Sequence, residues 1–221
     1  MRRLIGGLPA RLQGSIVPRS VGVLRDGWNR LYWGSGAPRF AERIHVDPRA
    51  CRYSLRLGSQ AVSSGRVVRD AWRFAAVRPT CEEPLIAGCL RHWVEGVDWD
   101  GTGLPELVAG QMRAFGVQDR CHSVADVRAR YQRLDALFDA VRDEGRLKCR
   151  TELGGWREMG GILIHVGPEG RLYFGGNGNH RLAVALALGL ESIPAQLGTI
   201  HVDALERLPE LRRDSAGGSG A

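Results

Sequence analysis

The feature that most constrains the fold of this chain is the stretch from Asn179 to Leu188, which as a helix is apolar on nearly every side. Gly189 follows it, where a left-handed residue commonly ends a helix. A helix without a polar face has to be covered all round. The sequence therefore places this helix inside the domain.

Segments with the composition of β-strands surround this helix. Gly161–Val166 is rich in β-branched residues, and the turn Gly167–Gly170 and the strand Arg171–Phe174 complete a β-hairpin. Further extended segments are predicted at Arg43–Asp47 (ended by Pro48), Ser54–Gly58, within 65–77, Ile193–Leu197 and Thr199–Val202. This order predicts an α/β (α+β) fold, a small mixed β-sheet flanked by helices.

Three more helices are expected from apolar residues at helical spacing. Two of them, Pro84–Val94 and Leu104–Phe115, form a helical insertion at about 80–120. The third spans about 124–144, where Ser123 and Asp126 have the spacing of a capping box and Gly145 marks the end.

Composition limits the class of protein. The 221 residues suffice for one domain, here 39–208, and the sequence has neither a signal-peptide core nor the roughly 18 consecutive apolar residues of a membrane span. We expect a cytoplasmic protein with no membrane partner. The five cysteines include no C-x-x-C pair, which favours reduced thiols.

The net charge of +7 raises the question of a nucleic-acid partner. Lys148 is the only lysine among 31 basic residues, which indicates a compositional bias more than selection at an interface. Residues 1–38 form an arginine-rich N-terminal arm, with a short helix at Val21–Trp33. The arm is either solvated or makes non-specific contacts with DNA phosphates. Residues 209–221 are expected to be a disordered tail.

The segment from Phe174 to Arg181 concentrates chemistry at the start of the buried helix. Glycines let backbone N–H groups approach an anion, and the N-terminus of a helix carries partial positive charge. The asparagines would cap the helix or ligate a metal-bound water, and the His-Arg pair would bond phosphate oxygens. The predicted binding residues are Gly175, Gly176, Asn177, Gly178, Asn179, His180 and Arg181. A plain strand-to-helix turn is the alternative.

This segment resembles the signature of the ParB/sulfiredoxin-like superfamily. The resemblance rests on Gly175–Pro194 and extends more weakly to Arg43–Pro48 and Tyr131–Gly145. A G-x-x-W-x-x-T element at Gly96–Thr102 is similar to one in uncharacterised ParB-like proteins. The resemblance covers roughly residues 40–205.

The resemblance implies a ParB/sulfiredoxin-like fold that binds a nucleotide, ATP or CTP, with Mg²⁺. By position, Gly178, Asn179, His180 and Arg181 would surround the phosphates. Asn177 would be the metal ligand, although many members have an aspartate there and a neutral amide binds Mg²⁺ more weakly. Asn179 occupies the place of the cysteine that sulfinic-acid reductases need, which excludes that activity.

Residues outside this segment complete the candidate site. Glu158, in a glycine-rich stretch, is the predicted general base or metal carboxylate, beside His180 and Arg181 as the other catalytic candidates. His165 is interpreted as a core histidine. His45 and His201 would join the site only if their strands converge there. Trp99 would be either a substrate wall or core.

Three functions are compatible with these features. The first is a nucleotide- or phosphate-binding protein, as an Mg²⁺-dependent phosphotransferase or nucleotide hydrolase acting on a phosphorylated small molecule. The second is a non-catalytic, DNA-associated ParB-like protein. The third is a scaffold that has kept the fold and lost the ligand.

Overall fold

A computed structural model describes residues 10–70, 72, 77–116 and 121–213. The helices are α1 (Ala10–Trp33), α2 (Gln60–Ser63), α3 (Pro84–Trp93), α4 (Leu104–Phe115), α5 (Val124–Glu144), α6 (Asn179–Ala187) and α7 (Leu208–Leu211). The strands are β1 (Arg43–Val46), β2 (Tyr53–Leu55), β3 (Val67–Val68), β4 (Val77–Pro79), β5 (Ile162–Val166), β6 (Leu172–Phe174) and β7 (Ile193–His201).

The strands form one open, mixed sheet in the order β1-β7-β5-β6-β2-β4, with β3 beside the end of β7. β7 pairs antiparallel with β1 and parallel with β5 and β3. β5 and β6 form the expected antiparallel hairpin, and β6 pairs in parallel with β2. All residues of β5 and β7 are buried, as is usual where parallel strands are covered on both faces.

The core lies between this sheet and the helices α3, α5 and α6. In α6, Leu182, Ala183, Val184 and Ala185 have no exposed surface, and α3 packs along the helix. Each fully buried leucine or valine side chain contributes roughly 1.5–3 kcal/mol relative to exposure. This packing confirms the α/β prediction and the buried position of the apolar helix.

The capping box and the glycine signal in the sequence predict both ends of α5 correctly. The capping box of Ser123 and Asp126 begins α5, and Gly145 follows its end with a φ of +68°. One boundary differs, because Ile193–His201 is a single strand across Gly198. β5 pairs with β7 on both sides of the glycine, with a register shift between Ile164 and Val166, and this pairing keeps the strand continuous.

The N-terminal segment differs from the expected arm. The helix α1 begins at Ala10, well before Val21, and its C-terminal half is docked on the domain. The buried Asn29 amide donates to the carbonyl oxygens of Pro38 and Gly65 at 2.6 and 2.7 Å. Asp26 accepts from the Phe40 amide at 2.7 Å. These contacts replace the solvated arm, while residues 1–9 lie outside the described part.

The expectation of a disordered tail from residue 209 is wrong for 209–213. α7 is helical and Leu208 is fully buried. Arg212 then bonds the buried Glu42 carboxylate at 2.7 Å and the Ala37 carbonyl oxygen at 3.0 Å. The remainder of the predicted tail, 214–221, lies outside the described residues.

Two further predictions concern the cysteines and membrane-spanning helices. The thiols of all five cysteines are free. Within the described ranges, none of the helices is both long enough and apolar enough to span a bilayer.

Candidate functional site

The loop between β6 and α6, Gly175–Gly178, continues the sheet before it turns into the helix. The Gly175 amide donates to the Leu163 carbonyl oxygen at 2.7 Å, and the Leu163 amide donates to the Asn177 carbonyl oxygen at 3.0 Å. Because both bonds go to β5, the loop is held against the centre of the sheet.

Gly178 makes the turn into α6. Its φ of +86° is in the left-handed region, and a Cβ there would lie 2.7 Å from the Cα of Ile162. Its carbonyl oxygen accepts the first bond of the helix, from the Leu182 amide at 2.9 Å. Glycine at this position contributes no capping side chain. The backbone amides of residues 179–181 come before the Leu182 amide, and helix geometry leaves them without intrahelical acceptors.

The two asparagines brace the loop. The Asn177 side-chain amide donates to the Gly161 carbonyl oxygen at 2.9 Å, and the Asn179 side-chain amide donates to the Gly176 carbonyl oxygen at 3.3 Å. The side chain of Asn177 would therefore offer a metal only its oxygen atom. Across the described residues, no cluster of three His, Cys, Asp or Glu side chains could hold a metal ion.

A cleft of about 520 Å³ opens beside the loop and is lined by Arg56, Gly58, Ser59, Leu163, Gly175, Gly176 and Asn177. The Arg56 guanidinium lies against the backbone of Gly176, with Nη1 2.9 Å from the position that a Cβ would take. The pairing of β2 with β6, which aligns Ser54 with Phe174, carries Arg56 to this point.

An ion pair also holds the Arg56 side chain in place. Its Nη2 donates to the Glu83 carboxylate at 3.0 Å, and Glu83 accepts from the Ser54 hydroxyl at 2.5 Å. A guanidinium has five N–H donors, so the remaining ones can still bond an anion. Sequence reasoning missed Arg56, because its position depends on strand pairing and not on a local motif.

His180 and Arg181 do not line this cleft. His180 is 8% exposed, and its Nδ1 lies 3.3 Å from Nη2 of Arg130 on α5. The Arg181 guanidinium donates to the Lys148 carbonyl oxygen. Burial lowers the pKa of Arg181, and the nearby Glu158 carboxylate opposes that shift. Both side chains therefore face the protein on the other side of α6.

Glu158 lies close enough to Arg181 for their charges to influence one another, so the structure brings these two predicted residues together. Glu158 is fully buried, and both carboxylate oxygens accept from the Arg150 amide at 3.0–3.1 Å. Burial raises the pKa of Glu158, against the Arg150 amide and the charges of Arg181 and Arg43.

The other histidines considered from the sequence occupy three separate places. His165 is fully buried, its Nδ1 accepts from the Thr199 amide at 2.9 Å, and burial lowers its pKa to about 4. His45 lines a different cleft, with Cys149. His201 contacts the Arg69 carbonyl oxygen at 2.5 Å beside β3. His45 and His201 therefore do not join the loop.

Trp99 belongs to an aromatic cluster and packs against the core. Its indole donates to Asp135 at 2.9 Å, and its ring stacks on Tyr131 with centroids 4.6 Å apart. Asp135 also accepts from Trp93 at 3.1 Å and lies 3.1 Å from Nε2 of His92. The G-x-x-W-x-x-T element thus anchors the helical region to α5.

Comparison of the chain with protein-family models, with curated proteins and with solved structures finds no match. The function of this chain is therefore inferred from the geometry of the site.

Proposed function

We propose that this protein binds a phosphate-bearing ligand, a nucleotide such as ATP or CTP, in the cleft beside Gly175–Gly178. The observation that carries the proposal is the Arg56 guanidinium, which lies against Gly176 at the wall of a cleft that the loop itself forms. The resemblance of Gly175–Pro194 to ParB/sulfiredoxin-like proteins supports the nucleotide, and a ParB-like fold is part of the proposal.

The physical support comes from charge and shape. The loop precedes the N-terminus of α6, where the helix dipole favours an anion. Arg56 brings to the cleft the guanidinium N–H donors that Glu83 does not use, and glycines at 175 and 176 let a ligand approach the backbone. A volume of about 520 Å³ is within the usual range for small-molecule sites, roughly 300–1,000 Å³.

The residues fit phosphate better than they fit Mg²⁺. Magnesium sites in proteins use one or two carboxylates together with phosphate oxygens. At this loop Asn177 offers one amide oxygen. The Glu158 carboxylate does not line this cleft but a different one, beside Ala41 and Arg43. We therefore propose binding as the function, and we derive no phosphotransfer or hydrolysis step through Mg²⁺.

Thermal unfolding and calorimetry with ATP, ADP and CTP, each with and without Mg²⁺, test the proposal. A ligand at 100 times its dissociation constant stabilises the fold by about 2.7 kcal/mol. We expect a shift for at least one nucleotide, and a smaller shift in Arg56→Ala than in the control Arg142→Ala. Arg142 is a similarly exposed arginine that pairs with Asp139 near the end of α5. Millimolar nucleotide without any shift would contradict the proposal.

Non-specific association with DNA is the second candidate function. It is favoured by a depression of about 650 Å³ next to α1, which Arg30, Arg39 and Arg212 line. Deleting residues 1–38 would remove the docked half of α1, so charge substitutions are the cleaner test. We expect DNA affinity that falls steeply with salt and weakens in an Arg30→Gln/Arg39→Gln variant. Equal affinity of this variant and the wild type at low salt would exclude this surface.

A further inference from the structure

The side of α1 that is turned to solvent is apolar. The docked side carries Gly22, Asp26 and Asn29, whose spacing places them together on the helix. The solvent side presents a stripe of large apolar side chains that are 59–78% exposed, namely Leu24, Trp28, Leu31 and Tyr32. A helix docked on a domain usually presents charged and polar residues to water. This apolar stripe therefore requires an explanation of its own.

The apolar stripe has the size and composition of an interaction surface. Steps of three and four residues keep its members adjacent on the helix, and the rings of Trp28 and Tyr32 lie 4.4 Å apart between centroids. Together the four side chains expose a few hundred Å² of apolar surface, a size at which such patches mark sites of association. Tryptophan and tyrosine are also among the residues that contribute most to protein interfaces.

The arginine-lined depression of about 650 Å³ borders the apolar stripe. Gly27 lies between the two, because it lines the depression and is about one helical turn from both Leu24 and Leu31. A Cβ on Gly27 would meet no atom of the described chain within 4 Å. A partner can therefore cross α1 at Gly27 and contact the stripe and the depression at once.

The depression has a surplus of positive charge. Arg30, Arg39 and Arg212 line it, and the Glu42 carboxylate contacts two of them, Arg212 at 2.7 Å and Arg39 at 3.8 Å. In the described part of the chain, the Arg30 guanidinium has no ion-pair partner. Arg30 is therefore available to a carboxylate that comes from outside.

We infer that the apolar stripe and the depression around Arg30 together dock an acidic amphipathic helix of another protein. The apolar side chains of that helix pack on the stripe, which is a helix surface about two turns long. A carboxylate at the border of its apolar face enters the depression and pairs with Arg30. This inference goes beyond nucleotide binding at the glycine loop and does not depend on it.

Charge and shape favour this partner over three other occupants. A second copy in a symmetric dimer would bring the same arginines to the same place, so like charges would face one another. A bilayer surface is flat and would not fill a depression beside the helix. DNA would use the arginines and leave the four apolar side chains in water. An acidic amphipathic helix contacts both parts of the surface.

Titration of the full-length protein, labelled with ¹⁵N at tryptophan, with three synthetic helical peptides tests the inference. The peptides share a leucine face and carry glutamate, glutamine or lysine on the opposite face. The Trp28 indole is identified as the NMR signal that Trp28→Phe lacks. We expect the glutamate peptide to shift this signal and to bind at least about tenfold more tightly than the lysine peptide. Equal binding of the two, or an unshifted Trp28 signal at millimolar glutamate peptide, would overturn the inference.

Variants of exposed residues connect the binding to this surface. Leu31→Gln should weaken binding of the glutamate peptide about tenfold or more, and Arg30→Gln should reduce the preference for glutamate over glutamine. The matched control is Val94→Gln at the end of α3, which removes an apolar side chain that is 63% exposed and should stay within about twofold of the wild type. Unchanged affinity in Leu31→Gln would overturn the inference.

The other occupants are tested in parallel. Sedimentation velocity of the protein alone detects a dimer, and flotation with vesicles of equal parts phosphatidylcholine and phosphatidylserine detects membrane binding. We expect neither to depend on Leu31. A dimer or a vesicle complex that Leu31→Gln abolishes would assign the stripe to that occupant and overturn the inference. Duplex DNA that binds through Arg30 while the glutamate peptide does not bind would overturn it as well.

Discussion

The segment that leads into α6 has two sides, and they contact different parts of the molecule. On one side, Gly175 and Gly176 line an open cleft with Arg56. On the other side, His180 contacts Arg130 and Arg181 donates to the Lys148 carbonyl oxygen. The first side has donors to offer a ligand, whereas the second uses its polar groups to hold the protein together.

This difference shows that residues adjacent in a motif need not act in one site. The side chains of a first helical turn point in different directions around the axis, so their neighbours decide their roles. Gly175 and Gly176 have no side chains, so binding at this half would depend on the backbone amides and on Arg56, which directly follows β2. We accordingly propose that the glycine half binds the ligand and that the His-Arg half stabilises the fold.

The largest effect is expected at Gly178, which joins the two halves. In Gly178→Ala the Cβ would lie 2.7 Å from the backbone of Ile162, in addition to the strain of a φ of +86°. We expect a loss of unfolding free energy on the order of 3 kcal/mol, measured by denaturant titration. Gly189→Ala is the control, because its φ of +64° brings the same strain without a neighbour within 4 Å, and it should lose about 1 kcal/mol. Equal losses would mean that the loop is not held against β5.

The next effect is the pH dependence due to His165. Its pKa is about 4 in the folded protein against 6.5 for the free side chain, so the unfolded chain binds a proton first as the pH falls. The contribution of His165 to the unfolding free energy is fully present above pH 6.5. It is lost between pH 6.5 and about 4, and the loss is about 3 kcal/mol at roughly 1.4 kcal/mol per pKa unit.

Denaturation of the wild type and of His165→Gln across this pH range measures the contribution. We expect the difference in unfolding free energy between the two proteins to change in this window. A difference that is independent of pH would show that the imidazole is not held neutral.

The third prediction separates the two arginines. Arg56→Gln should lower the affinity for phosphate or nucleotide about tenfold, or ~1.4 kcal/mol. It should also lower stability, because the buried Glu83 carboxylate loses its ion-pair partner. Arg181→Gln should lower stability by about 1 kcal/mol, because it loses its bond to Lys148, while affinity stays within about twofold. Calorimetry and denaturation of both variants provide the comparison. If Arg181→Gln lowered the affinity and Arg56→Gln did not, the ligand would lie on the side of His180 and Arg181.

The smallest effect is expected at Glu158. Burial raises its pKa, so the folded protein holds this proton to higher pH than the unfolded chain does. Its contribution to stability therefore decreases as the pH rises from the pKa of a free glutamate, 4.5, through the folded value. Glu158→Gln removes this decrease and keeps one acceptor for the Arg150 amide. Stability curves measured from pH 4 to 8 should be flatter for the variant, and parallel curves would contradict the assignment.

The sequence by itself determined the elements whose signals are local. The buried helix α6, the capping box of α5 and the hairpin of β5 and β6 are encoded by spacing, caps and turn residues, which act over a few neighbouring positions. The proposal that the glycine loop binds an anion also came from the sequence, because it depends on residue types in one short segment.

Only the tertiary structure decided which groups surround that loop. Arg56 reaches Gly176 because β2 pairs with β6, and His165 faces Gly175 because the hairpin aligns their strands. The docking of α1 depends likewise on Asn29 meeting Pro38 and Gly65. Such contacts join residues far apart in the chain, and no local pattern encodes them, because strand pairing sets their geometry.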